Sequence, residues 1–156
     1  DTMVFQRVRL FNRCQEETRV FRYHDDLCLR VHYRCEESVA FPAFTLTIRG
    51  VEGRIFQASM LLDGQRPCHL EGAGAIECLF RDLPLAPGSY HVVGSVRGED
   101  GLSYVMHPQV VARFSVESDP IAYGWGEPSA TAFLPEAAPV VIPHEWRAVP
   151  CPEVRS

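Results

Sequence analysis

The 156-residue chain contains no lysine: all 15 of its basic residues are arginine. That absence removes every chemistry built on an ε-amine, namely a Schiff base, a lysine general base, or the Gly-x-x-x-x-Gly-Lys loop that meets nucleotide phosphates. Exclusive use of arginine also has the look of genome-wide codon usage, so a single guanidinium carries less weight here than in a mixed sequence. Long apolar runs are missing too, and none approaches the roughly 18 residues that a spanning helix needs. The opening Asp1-Thr2-Met3 shows no charged-then-apolar signal pattern, and a start at Asp1 suggests a piece of a longer protein. A net charge of −5 leaves no basic surface to displace counterions, so no nucleic-acid partner is expected.

Metal and disulfide signatures are equally scarce. Cys14, Cys28, Cys35, Cys68, Cys78 and Cys151 contain no Cys-x-x-Cys and no Cys/His pair at zinc spacing, so no metal is expected. Alternation turns Cys35 and Cys78 inward, where a free thiol behaves as a small hydrophobe, and the six are read as reduced thiols in a reducing compartment. No Gly-x-Ser-x-Gly elbow or Gly-x-Gly-x-x-Gly loop occurs, and no cofactor is implied. The densest titratable cluster, His24-Asp25-Asp26, reads as a turn with solvated charges, because adjacent residues in a strand face opposite ways. Glu52, Glu99 and Asp100 lie in turns and offer no carboxylate pair across a cleft. The chain is therefore not expected to be an enzyme.

What is present is alternation. Leu83-Pro-Leu-Ala-Pro-Gly-Ser-Tyr90 running into His91-Val-Val-Gly-Ser-Val-Arg97 has the form of a tyrosine corner, in which a phenol bonds back to the backbone and pins a crossover between two sheets. The chain is thus expected to be all-β, an immunoglobulin-like antiparallel β-sandwich. Strands are predicted near 4–11, 26–35, 44–49, 54–60, 75–81, 88–97 and 109–117, with 18–23 a short strand or a continuation of the first. Those at 44–49, 54–60, 88–97 and 109–117 belong to one sheet, and those at 4–11, 26–35 and 75–81 to the other. In the last strand Val110, Ala112, Phe114 and Val116 should point inward and Val111, Arg113 and Ser115 outward. No sustained helical period is found. Prolines at 120, 128, 135, 139, 143, 150 and 152 set off a tail, so residues 1–118 form the sandwich and 119–156 a proline-rich tail. The apolar Ala138–Ile142 and Trp146 suit either a strap across the same sandwich or a strand given to a second copy.

Function must then lie on a sheet face. The outward set of the tyrosine-corner sheet includes Thr45, Thr47, Arg49, Gln57, Ser59, His91, Ser95, Arg97, Arg113 and Ser115. Amide, guanidinium and imidazole donors with hydroxyl acceptors suit sugar hydroxyls. Arg49, Gln57, Ser59, His91, Ser95, Arg97 and Arg113 are the candidate carbohydrate-binding residues, although any solvated sheet face shares this composition. On the opposite sheet, Arg30, His32 and Arg34 near Glu77 and Arg81 are explained by cross-strand charge pairing. Stacking platforms would have to come from Tyr104, Tyr123, Trp125 or Trp146.

The order of the signals is specific. Phe21-Arg-Tyr-His-Asp-Asp-Leu-Cys-Leu-Arg-Val-His-Tyr33 leads into Val39-Ala-Phe-Pro-Ala-Phe44, then Ile48-Arg-Gly-Val-Glu-Gly-Arg-Ile-Phe56, the Leu83–Tyr90 corner and Ala112-Arg-Phe-Ser-Val116. Over roughly residues 5–120 this pattern resembles the C-terminal domain of Wzt-type proteins, the ATPase subunits of ABC transporters that export O-antigen and related polysaccharides. The resemblance implies a carbohydrate-binding sandwich behind an upstream nucleotide-binding domain, cytoplasmic at the inner face of the cell membrane beside the transporter's membrane subunit. There it would recognise the terminus of a lipid-linked O-antigen-type polysaccharide. It also implies a homodimer through exchanged C-terminal strands. Where members often continue the Phe56 strand with Gly-Thr-Asn-Thr, this chain has Gln57-Ala-Ser-Met60, which bears on the sugar. Its tail is longer and richer in proline, which bears on the dimer. A structural sandwich without glycan binding is the alternative.

Overall fold

The computed structural model describes residues 1–125 and 138–149. Alternating apolar residues drive eight strands into two layers: β1 (Met3–Phe11), β2 (Val20–Phe21), β3 (Leu27–Ala40), β4 (Ala43–Gly50), β5 (Gly53–Ser59), β6 (His69–Phe80), β7 (Gly88–Arg97) and β8 (Tyr104–Val116). One sheet has the order β1-β3-β6 and the other β2-β8-β7-β4-β5. The layers divide as the alternation predicts. Between them pack Leu29 and Val31 from one side and Leu46, Ile48, Val92 and Phe114 from the other, all buried. Removing that apolar surface from water is the main force holding the layers together.

The tyrosine corner forms as expected. Tyr90 is buried, and its hydroxyl donates to the Ala86 carbonyl at 2.5 Å. Gly94, further along β7, is a glycine for a steric reason: a Cβ there would lie 2.7 Å from Phe5 Cε2, inside the contact distance of two carbons. The Phe5 ring occupies that space, stacked on Phe44 with centroids 5.7 Å apart.

The structure departs from the sequence reading where alternation is interrupted. β3, β6 and β8 are longer than predicted, and a single helical turn, Met60–Asp63, follows β5. Residues 18–23 contribute only β2, paired parallel to β8 with Phe21 opposite Val116. The facing of Val110 and Val111 is corrected: Val110 is 46% exposed, whereas Val111 packs against the core. The cause is a bulge. Val92 faces Ala112 but Val93 faces Val110, so Val111 is the extra residue and the period slips by one. A larger irregularity sits at the far end of the β3–β6 ladder, where Cys35 faces Gly72 and Val39 faces Leu70. There Glu36, Glu37 and Ser38, all exposed, stand opposite exposed Glu71. β6 is the outer edge of its sheet.

The described part of the tail straps its own sandwich. Val140 bridges Leu85, the Ala86 amide donates to the Pro139 carbonyl at 2.9 Å, and the Val141 amide donates to the Pro84 carbonyl at 2.6 Å. Val141 is buried with Ala86 and Tyr123 in a small second core, flanked by Tyr23 and Trp125. Docking stops there, since Ile142 and Trp146 are exposed. Among the described residues no helix is long and apolar enough to cross a membrane. Cys14, Cys28, Cys35, Cys68 and Cys78 are free thiols, and Cys151 lies outside the described residues.

Candidate functional site

Strand register turns the outward residues of the five-stranded sheet into rows. Ser59, Thr45 and Ser95 form one row across β5, β4 and β7, and Gln57, Thr47, Val93 and Val110 form the next. Arg54, Arg49, His91 and Arg113 form a third across four strands. At the opposite end Arg97 faces Ala43 on one side and Tyr104 on the other. These rows floor an open groove of about 430 Å³, walled by Arg49, Arg54 and Gln57 on one side and by Arg97, Tyr104 and Pro108 on the other.

Of the seven candidate residues, Arg49, Gln57, Ser95 and Arg97 line the groove together. Ser59 does not: its hydroxyl lies 3.4 Å from that of Thr45, and the residue lines a separate hollow with Met60, Ile76 and Cys78. His91 and Arg113 continue the third row beyond the groove wall. The floor is polar and in part buried, with Thr47 and Ser95 each 8% exposed. Thr47 makes only a long 3.4 Å contact to Gln57 Oε1, so its hydroxyl keeps hydrogen-bonding capacity in reserve.

Arg97 is held in place. Its guanidinium donates to the Gly101 carbonyl and to the Tyr104 hydroxyl, both at 3.1 Å, and lies 4.9 Å from the centre of the Tyr104 ring. The β7–β8 turn that supplies Gly101 is itself rigid. Asp100 accepts from the Ser103 hydroxyl at 2.7 Å and from the amides of Leu102 and Ser103, which hold its carboxyl down to about 2. Arg66 donates to the carbonyls of Phe41 and, at 2.7 Å, Gly98, tying this turn to the loop before β4.

Six residues of the groove lie outside the seven candidates: Thr45, Thr47, Val93, Pro108, Tyr104 and Arg54. Tyr104 enters the sequence reading only as a stacking platform, ahead of a strand predicted to start at 109. Strict alternation from Gln57 turns Arg54 inward. The β4–β5 register slips between Ile48 and Arg49, so Ile48 faces Phe56 while Arg49 faces Arg54. Ile55 and Phe56 both pack toward the core, and Arg54 emerges on the outer face.

The other sheet face neutralises itself in part. Arg30 lies 3.6 Å from Glu77, as charge pairing predicts, while His32 faces Ala75 and Arg34 faces Ala73. Glu77 also accepts from the Cys28 thiol at 3.0 Å, and burial above all pushes that thiol up to about 12. The His24–Asp26 segment is a braced turn. Asp26 accepts from the Asp82 amide at 3.0 Å and pairs with Arg13 at 3.3 Å, and His24 sits 3.4 Å from Asp82.

Comparison with known proteins bears on both fold and family. No curated protein sequence matches the chain. Among solved structures, the C-terminal domain of wzt superposes with a TM-score of 0.63 at 8% identity, covering 76% of this chain and 75% of that one. A Niemann-Pick type C2 protein from the Japanese carpenter ant gives a TM-score of 0.49 at 10% identity over 75% of this chain and 94% of that one. A Parabacteroides merdae β-glucuronidase gives 0.46 at 12% identity over 75% of this chain and 14% of that one. The family model described as Wzt C-terminal domain matches residues 2–126, four-fifths of the sequence and both sheets, and the chain therefore belongs to the Wzt C-terminal domain family.

Proposed function

We propose that this domain is a non-catalytic carbohydrate-binding module that recognises the terminus of a lipid-linked O-antigen-type polysaccharide for ABC-transporter export. The observation that carries the proposal is the groove on the five-stranded sheet. There hydroxyl, amide and guanidinium groups of Thr45, Thr47, Gln57, Ser95, Arg49 and Arg97 converge beside the Tyr104 ring. Sugar rings present the complementary set, with hydroxyls for the floor and an apolar face for the phenol. In the full assembly the domain follows a nucleotide-binding domain and works beside the membrane subunit at the cytoplasmic face. Residues 1–118 act as the binding unit and 119–156 as its tail.

Arg97→Ala should weaken binding of polysaccharide released from the producing cell's own surface by several-fold to about tenfold, the worth of about one hydrogen bond. Arg34→Ala, on the opposite sheet, should leave binding unchanged. Titration calorimetry with melting curves of both variants checks this, and the reverse pattern would move the site to the Arg30-His32-Arg34 face.

The proposal includes a homodimer that uses residues around Ala138–Trp146. Support comes from apolar side chains left bare beyond the strap, Ile142 at 70% and Trp146 at 93% exposure, which a second copy would cover. Light scattering of a chain ended after Glu117 should give a monomer mass or aggregates. A dimer of unchanged stability would place the interface elsewhere.

A further inference from the structure

At its Arg54 and Arg49 positions the third row of the outer face sets like charge beside like charge. Arg54 and Arg49 are directly opposed across β5 and β4, His91 stands opposite Arg49, and Arg113 stands opposite His91. Neighbouring strands lie about 4.8 Å apart, so the row spans about 14 Å. Directly opposed like charges destabilise a sheet. Nothing in the row relieves them: among the described residues, no carboxylate lies within 4 Å of Arg49, Arg54, His91 or Arg113. Elsewhere in the protein arginines do find carboxylates, as Arg9 does Glu17 at 3.0 Å, Arg13 does Asp26 and Arg30 does Glu77. Glu52, in the turn that joins β4 to β5, is the nearest carboxylate in sequence to Arg49 and Arg54 and enters no ion pair.

The Arg49–Arg54 pair also depends on a backbone irregularity. Without the slip at Arg49, Ile55 would occupy the outer face and Arg54 would point toward the core. With the slip, Ile55 is partly buried against the core and a second guanidinium stands beside the first. The row meets the groove at these two residues, both of which line it. Two planar forks about one strand spacing apart can share the oxygens of a single phosphate or carboxylate, each through paired N–H donors.

We propose that Arg49 and Arg54, with His91 and Arg113 extending the field behind them, form an oxyanion clamp at the end of the groove. The ligand's terminal sugar would then bear a phosphate or a carboxylate. This rests on the glycan reading of the same face and specifies the class of sugar that it takes.

The test is a titration of the whole 156-residue chain, followed by the Nε–Hε NMR signals of its arginines, with four probes: inorganic phosphate, glucose 6-phosphate, glucuronate and glucose. The two charged sugars should shift Arg49 and Arg54 and bind about tenfold or more tightly than glucose, with the difference shrinking as salt is added. The Arg49→Gln/Arg54→Gln double variant should lose that difference, so that the charged sugars bind it no more tightly than glucose does. It removes opposed like charges, so it should melt no lower than the parent, which guards against misreading an unfolded protein. Equal binding of glucose and the charged sugars in the groove overturns the clamp and leaves the glycan reading intact. Inorganic phosphate binding as well as glucose 6-phosphate upholds the clamp and counts against the glycan reading. Silence of Arg49 and Arg54 toward all three anions overturns the clamp.

Discussion

Phe21→Ala is expected to cost about 3–5 kcal/mol, a large share of the roughly 5–15 kcal/mol that holds a domain of this size together. Phe21 is fully buried, and its ring meets Phe114 edge-on with centroids 5.7 Å apart. It is also half of the two-residue strand that closes one side of the larger sheet. That strand is held by few backbone bonds: the Ser115 amide donates to Arg19 and the Glu117 amide to Phe21, both at 2.8 Å. So short a pairing cannot persist on hydrogen bonds alone, because each contributes only about 1 kcal/mol net, and the ring is its anchor. Urea denaturation followed by circular dichroism measures the loss. A cost below about 1 kcal/mol would mean that β2 is not docked in solution.

The second large effect is alkaline. Tyr90 donates to the Ala86 carbonyl and Tyr123 donates to the Leu85 carbonyl at 2.9 Å, two phenols on consecutive carbonyls of one corner. Burial is the main cause pushing both up to about 12. Unfolded, each ionises near 10. Between those values the folded chain holds protons that the unfolded chain has released, so stability falls as pH rises. The contribution of each phenol is complete below about pH 10, and about 2–3 kcal/mol of it is lost by pH 12. Tyrosinate absorbance should rise for these two residues together with unfolding, and Tyr90→Phe/Tyr123→Phe should flatten the pH dependence between 10 and 12. Ionisation of both near pH 10 in a chain that stays folded would contradict the buried corner.

The two-layer division and the tyrosine corner could be read from the sequence because both are written in short-range signals. Val92 and Val96 flank Gly94 at strict spacing, and Pro87-Gly88 sets the turn before Tyr90. The groove was half legible for the same reason, since counting by two from those anchors reaches Arg49, Gln57, Ser95 and Arg97. What escaped lies behind bulges. A slip of one residue is invisible to period-two counting, because the extra residue has no marker of its own: Val111 looks like Val110, and Ile55 fits either face. Arg54 was lost by that slip and Val110 misassigned by another. The Ala138–Trp146 tail left two occupants open because its apolar residues state a need for cover, and composition cannot say whose surface supplies it.

The β3–β6 irregularity bears on the exposed edge of the smaller sheet. A long sheet edge is a standing invitation to another strand, and β6 offers twelve residues of it. A second β6 laid antiparallel along the first would have to run past Gly72, whose φ of 63° turns the ladder out of line. The broken ladder thus insulates this flank from runaway sheet growth.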